Sequence, residues 1–148
     1  MQTLKTLATA YIQGQAVEPT ASETHTFEAW VNYRFDKVAF MVDFIDEDTS
    51  PERCLAHYQR FCRLLISTAN NADNLWGATI NARFRAVHDW DHICSGWQFD
   101  LAGEIAAFKT AALVAPKSIR WILYSEIVLQ AAASIYTGNF NEQKLIRL

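Results

Sequence analysis

Residues 88–92 bring two histidines and two aspartates together in one short stretch of the chain. Side chains four positions apart lie one turn apart on the same face of an α-helix, so His88 and His92 can bind a single metal ion. Two carboxylates, Glu104 and Glu126, follow in segments of small and apolar residues. Imidazoles combined with carboxylates are the ligands expected for Fe, Mn or Zn. The sequence therefore predicts a metal site formed by these two histidines and two glutamates, in which the ion activates water or dioxygen.

Asp89 and Asp91 are the predicted acid or base groups beside this site. On a helical wheel of ~100° per residue, Asp91 lies near the centre of the apolar face, while His88 and His92 lie at its edge. Asp89 points to the other side of a regular helix, and a π-bulge would be needed to redirect it. Either aspartate can therefore be a ligand or the catalytic base, and both roles stay open.

Glu126 lies in the middle of residues 119–136, which are apolar on nearly every side. An unpaired buried carboxylate costs several kcal/mol, so Glu126 requires a metal, a histidine or an arginine as its partner. Gln130 lies one turn later on the same face, and Arg85 lies one turn before His88. We therefore predict that Gln130 and Arg85 contact the metal-binding side chains rather than the ion.

A series of short motifs runs through residues 80–146. It comprises Phe-Arg-Ala-Val-His-Asp at 84–89, a following histidine, Gly103-Glu104, Glu126 with Gln130, and Gln143-Lys144. This order resembles a family carried by phages and mobile elements, whose members occur as stand-alone proteins and as segments of large phage-delivered polypeptides. The resemblance implies a shared polar site that includes Asp89, and it implies no particular activity. In that family the second histidine lies five positions after the first, whereas His92 lies four after His88, so the equivalence of His92 stays open.

A second resemblance is to HD-type phosphohydrolases, which are also all-helical and bind metal through a histidine, a His-Asp pair and a later aspartate. His57 and the pair His88-Asp89 match the first three of these ligands. The late aspartate has no counterpart, so Glu126 would have to replace it. This resemblance implies hydrolysis of nucleotides or other phosphoesters, as an alternative to the metal site formed by the two histidines and two glutamates.

A network without metal is a further explanation of the same residues. His88 would then form a hydrogen bond with Glu126 or Glu104, and Arg83 or Arg85 would balance the remaining charge. Such a network stabilises a fold without performing chemistry. The alternative function in that case is a non-catalytic phage accessory protein that binds a host protein.

Composition limits the class of protein. A chain of 148 residues that is 51% hydrophobic and 20% charged has the size and balance of one globular domain, which we assign to residues 1–148. The net charge of −3 and the scattered basic residues lack the electrostatic pattern of a nucleic-acid-binding protein. The first residues have no signal-peptide pattern, and the apolar segment at 121–136 is short for a membrane span. We expect a cytoplasmic protein, in a bacterial host if it is phage-encoded, that acts on a small molecule and contacts neither nucleic acid nor membrane.

Hydrophobic periodicity predicts an all-α fold, a compact bundle of about six helices around one central apolar helix at residues 119–136. A loop is expected at residues 15–26, and residues 38–44 also have a pattern that a strand tolerates. Ser50 and Asp100 are predicted N-caps, because their side chains can accept hydrogen bonds from the first turn of a helix. The predicted helices cover residues 3–13, 27–45, 51–68, 72–95, 101–114 and 119–136.

Overall fold

A computed structural model describes residues 3–148 as a mostly helical fold with one small sheet. The helices are α1 (Leu4–Gln13), α2 (Ala21–Val38), α3 (Pro51–Phe61), α4 (Ala78–Ser95), α5 (Leu101–Val114), α6 (Arg120–Leu123) and α7 (Gln130–Thr137). The strands are β1 (Val42–Ile45) and β2 (Leu64–Ser67). Short 3₁₀ turns lie at Ala39–Met41 and Lys117–Ile119, and a π-helical turn at Tyr124–Leu129 joins α6 to α7. The predicted helical character is confirmed, but the fold is not strictly all-α.

The two strands pair in parallel, with Val42 opposite Leu64 and Ile45 opposite Ser67. The strand β1 takes the place of the end of the helix predicted at 27–45, and β2 takes the place of the end of the helix predicted at 51–68. The helix expected to reach residue 68 ends at Phe61, because Cys62 adopts a left-handed conformation with φ of 52°. Parallel pairing joins segments that are distant along the chain, so local periodicity could not indicate it.

Two helix starts also differ from prediction. The helix α2 begins at Ala21, inside the expected loop at 15–26, because Thr20 and Glu23 form a capping box in which each side chain bonds the other's backbone N–H. The helix α4 begins at Ala78 instead of residue 72. In the intervening turns, the buried side chain of Asn71 bonds that of Asn81 rather than capping a helix at residue 72.

The two predicted N-caps are confirmed. Ser50 Oγ accepts a hydrogen bond from the Arg53 backbone N–H at 3.2 Å, at the start of α3. Asp100 Oδ1 accepts one from the Gly103 N–H at 2.8 Å, at the start of α5. Each such bond satisfies a backbone donor that the helix cannot pair internally, and its loss typically costs about 1 kcal/mol. Because Asp100 fixes where α5 begins, it also fixes the position of Glu104 in the first turn.

The central helical segment from α6 through the π-helical turn to α7 is the apolar core, as predicted. Its buried side chains pack against α1 and α5, and burying each Ile or Leu contributes about 1.5–3 kcal/mol. On the other side of α5 lies α4, which packs against both α5 and α2. Within residues 3–148 no helix combines the length and the apolar character that crossing a membrane requires. The fully buried core residues of this segment include Ile122, Leu123, Val128, Leu129, Ala132 and Ala133.

Residues 139–148 have no regular secondary structure, yet they are fixed to the core. Leu145 and Ile146 are buried. The Ile146 N–H donates to Ser125 Oγ at 2.8 Å, and the Leu145 carbonyl accepts from the Val17 N–H at 2.9 Å. These contacts anchor the segment against the π-helical turn.

Candidate metal centre

Two helices supply the side chains of the site. His88 and His92 lie one turn apart on α4, and Glu104 lies in the first turn of α5. The approach of α5 depends on Gly103, where a Cβ atom would lie 1.8 Å from the Gln98 carbonyl oxygen. The absence of a side chain at this position lets the first turn of α5, and Glu104 with it, pack closely against the connection that follows α4.

Three ligand atoms form a nearly equilateral triangle. The His88 Nε2 atom is 3.1 Å from Glu104 Oε2 and 3.1 Å from His92 Nε2, and His92 Nε2 is 3.2 Å from Glu104 Oε2. Ligands about 2.1 Å from one ion, with about 95° between adjacent bonds, lie about 3.1 Å apart. The spacing therefore fits three adjacent positions on one ion. Within residues 3–148, these side chains form a group that could hold a metal.

Aromatic packing orients both imidazoles. The ring of His92 is fully buried and stacks on Phe99, with centroids 4.2 Å apart and planes inclined by 23°. The ring of His88 lies 6.2 Å from Phe84 at 21°. Among the residues that the structure describes, neither Nδ1 atom has a hydrogen-bond partner, although both are buried. Packing thus directs both Nε2 atoms toward Glu104.

The ionisation of Glu104 depends on the two histidines. Burial alone raises its pKa, but hydrogen bonds and attraction from His88 and His92 outweigh burial and lower the pKa to about 2. For His88 the balance is similar: burial lowers the pKa, but the Glu104 carboxylate outweighs burial and leaves the pKa raised. Glu104 is therefore an ionised carboxylate at neutral pH.

Without a metal, hydrogen bonds satisfy the ionised Glu104 only when both Nε2 atoms carry protons and donate to the same oxygen, Oε2. The two N–H groups then lie side by side, with their nitrogen atoms 3.1 Å apart. If one Nε2 is deprotonated, its lone pair faces the Glu104 carboxylate at 3.1–3.2 Å. A divalent cation removes this conflict, because both imidazole lone pairs and the carboxylate oxygen then point at positive charge. The three side chains therefore fit a divalent metal ion.

The triangle borders a cleft of about 960 Å³, whose wall includes both His88 and Glu104. Asp89 and Arg85 line the same cleft, together with Phe99. Burial raises the pKa of Asp89 to about 6, and the nearby histidines act in the opposite direction. An external molecule can therefore reach the three-ligand group and an adjacent carboxyl that changes protonation near neutral pH.

Asp91 lies elsewhere, in a buried ion pair. Its Oδ1 atom accepts a hydrogen bond from Arg34 Nη2 at 2.8 Å, and its Oδ2 accepts one from Arg34 Nη1 at 3.2 Å. The helical wheel placed Asp91 with His88 and His92 and excluded Asp89, whereas Asp89 borders the cleft and Asp91 faces α2. The difference arises because Asp89 lines an open cleft, and a side chain can do so without lying on the buried face of its helix.

Glu126 is paired with an amide. The Gln143 Nε2 atom donates to both Glu126 oxygens, at 3.2 and 3.3 Å, and Gln143 Oε1 accepts from the Leu75 N–H at 3.1 Å. Burial raises the pKa of Glu126 to about 7, while Gln143 and the indole of Trp76 lower it. Glu126 is outside the three-ligand group, and Gln130, one turn later and half-buried, is not the amide that binds it. In the sequence, only the series of motifs that resembles the phage family pointed to Gln143.

His57 belongs to a separate cluster. Its Nε2 atom is 3.0 Å from Asp43 Oδ2, and Arg63 also bonds this carboxylate. The HD-type pattern requires His57 beside His88 and Asp89. Within the described residues His57 is not part of the group around His88.

No family model, no curated protein and no solved structure matches this chain.

Proposed function

We propose that this chain is a metal-dependent enzyme that acts on a small molecule in the cleft, with one Fe, Mn or Zn ion bound by His88, His92 and Glu104. The observation that carries this proposal is the triangle of ligand atoms with sides of 3.1–3.2 Å around an ionised carboxylate. Two histidines and one carboxylate on one side of an ion leave further coordination positions for water or substrate. A bound ion would supply Lewis acidity at that open side.

The remaining polar residues have distinct roles in this proposal. Asp89 holds or moves a proton in the cleft, because its carboxyl lines the cleft next to His88 and burial favours its protonated form. Asp91 positions α4 through Arg34 and does not touch substrate. Glu126, held by Gln143, supports the core behind the site. The motif order at residues 84–143 supports membership of the phage or mobile-element family that it resembles.

Metal analysis tests the proposal directly. Protein purified without chelator is expected to contain close to one Fe, Mn or Zn ion per chain by elemental mass spectrometry. Adding the ion to metal-free protein at about 100 times its Kd stabilises the fold by about 2.7 kcal/mol. For a chain of this length that corresponds to a rise in Tm of roughly 5–10 °C.

Matched histidine variants provide the control. His92→Ala and Glu104→Ala are expected to abolish both the bound metal and the thermal shift, because each removes one of three ligands. His57→Ala is expected to retain both, since His57 is bonded to Asp43. Absence of bound metal, together with no thermal shift for Fe(II), Mn(II) or Zn(II), would refute the proposal and favour the non-catalytic network.

A further inference from the structure

Arg85 lies on α4 three residues before His88, and its side chain lines the same cleft. Its Nη1 atom donates to the Ser67 carbonyl at 2.9 Å and to the Ala69 carbonyl at 3.4 Å. Within residues 3–148 its Nε and Nη2 atoms have no hydrogen-bond partner, and no carboxylate lies within 4.0 Å of the guanidinium. The backbone after β2 thus holds one side of the guanidinium and leaves the Nε–Nη2 edge free.

Arginines of comparable burial differ in their partners. Arg34 bonds both oxygens of Asp91. Arg83 donates to the neutral Asn32 side-chain oxygen at 2.7 Å, and Arg120 donates to the Ala115 carbonyl at 3.2 Å. Arg85 is half-buried, and the nearest acids, Asp89 and Asp48, act on it only from beyond ion-pair distance. Arg85 is the arginine whose side chain lines this cleft, so an anionic ligand that enters the cleft can pair with its free edge.

The free Nε–Nη2 edge has the shape that recognises a planar carboxylate through two parallel hydrogen bonds. The cleft also contains the carboxylates of Asp48, Asp89 and Glu104, which repel a doubly charged ligand such as a phosphate monoester about twice as strongly as a singly charged one. Leu65 and Ile66 supply apolar wall that suits a hydrocarbon body. A singly charged carboxylate on a short apolar body satisfies all of these features.

We infer that the cleft binds a small monocarboxylate, whose carboxylate pairs with the Nε–Nη2 edge of Arg85 and whose body extends toward His88 and Glu104. Three helical residues advance about 4.5 Å, so a molecule of a few carbon atoms bridges the two positions. The reaction of this molecule rests on the proposed metal-dependent function, but its binding to Arg85 does not.

Matched carboxylate and amide probes test the inference in metal-free protein. By calorimetry or ligand-observed NMR, benzoate is expected to bind at least tenfold more tightly than benzamide, and butyrate more tightly than butyramide. Charge-assisted hydrogen bonds contribute enough for a roughly 10- to 100-fold preference. Arg85→Gln is expected to bring the preference below twofold. An equal affinity for acid and amide in the wild-type protein would overturn the inference.

Variants of two arginines on the same helix separate recognition from a general charge effect. Arg83→Gln removes one positive charge from α4 but acts at Asn32 and Phe35, so it is expected to leave the preference unchanged. Arg85→Lys keeps the charge without the two-donor edge and is expected to reduce the preference at least threefold. If Arg85→Gln fails to fold, Arg85→Lys decides the outcome. A preference unaffected by Arg85→Lys would contradict recognition by the guanidinium edge.

The two proposals fail independently in this experiment. Carboxylate binding that depends on Arg85 in a protein that takes up no metal would retain this inference and refute the metal centre. Metal uptake without any preference for carboxylate would do the reverse. Tighter binding of phenyl phosphate than of benzoate, lost in Arg85→Gln, would overturn the assignment of a carboxylate ligand.

Discussion

Two histidine–carboxylate clusters in this molecule have nearly the same contact distance but different surroundings. His57 Nε2 lies 3.0 Å from Asp43, and His88 Nε2 lies 3.1 Å from Glu104. In the first cluster Arg63 is the third member, and the three side chains are 22–41% exposed. In the second, another imidazole takes the place of the guanidinium, and the side chains of that pair are 10–20% exposed.

The third member decides what each cluster can do. Arg63 bonds both oxygens of Asp43 and, together with His57, lowers the pKa of Asp43 to about 2, so this cluster is a complete ion pair. Within residues 3–148 no lysine or arginine lies within 4.0 Å of Glu104, which faces two imidazoles instead. A short histidine–carboxylate distance therefore indicates a metal site only where no fixed positive charge already satisfies the carboxylate.

The largest expected contrast is in folding stability without metal. His92→Ala is expected to lower the free energy of unfolding by about 4 kcal/mol, since it empties a fully buried position stacked on Phe99 and removes a partner of Glu104. His57→Ala is expected to cost less than about 1 kcal/mol, as is usual for exposed pairs. Urea unfolding of both variants measures the difference. Equal costs would show that the two clusters are energetically alike.

The pH dependence of stability sharpens the contrast between buried and paired carboxylates. The pKa of Glu126 is raised from 4.5 to about 7, so the fold favours its protonated form. Its contribution to stability is present below about pH 4.5 and is lost as the pH rises through 7. The loss is about 3 kcal/mol, at 1.36 kcal/mol for each unit of the shift.

Glu126→Gln tests this dependence because the amide keeps an oxygen that accepts from Gln143. Relative to the wild type, this variant is expected to gain about 3 kcal/mol between pH 4.5 and 8 in urea unfolding. Glu142→Gln, at an exposed position, is the control and is expected to follow the wild type. A constant difference between Glu126→Gln and the wild type across this range would show that Glu126 does not titrate in it.

Salt provides the smallest expected effect. Arg63→Gln is expected to cost under about 1 kcal/mol at low ionic strength, because Arg63 and Asp43 are partly exposed. That cost is expected to shrink in 1 M NaCl, where screening acts over about 3 Å. The cost of His92→Ala arises from packing and burial and is expected to stay unchanged. Salt sensitivity of both variants would place both clusters in contact with bulk solvent.

Local signals predicted the helices and the histidine pair well. Ser50 and Asp100 cap helices as expected, and the spacing of His88 and His92 places both on one face of α4. Glu104 follows from the cap at Asp100, since the start of α5 sets which residues face α4. These features depend on neighbours within one or two helical turns, and such local interactions can be predicted from a sequence.

Contacts between distant segments could not be predicted from the sequence. The strands β1 and β2 stabilise each other across about twenty residues, and each alone has a pattern that a helix tolerates. Asp91 pairs with Arg34 on another helix. Glu126, which lies within the π-helical turn, is bonded by Gln143. The sequence showed that Glu126 needs a partner, but only the packing of the described chain identifies which one.

The attachment of residues 142–146 to the core has a consequence for the order of events during synthesis. The Tyr11 hydroxyl donates to the Glu142 carbonyl across 131 positions and accepts from the Lys144 N–H. A ribosome adds about 5–20 residues per second, so these partners of α1 are synthesised roughly 7–26 seconds after it. Until then the apolar faces of α1 and the central helix lack their cover, so the nascent chain depends on late-arriving residues to complete its core.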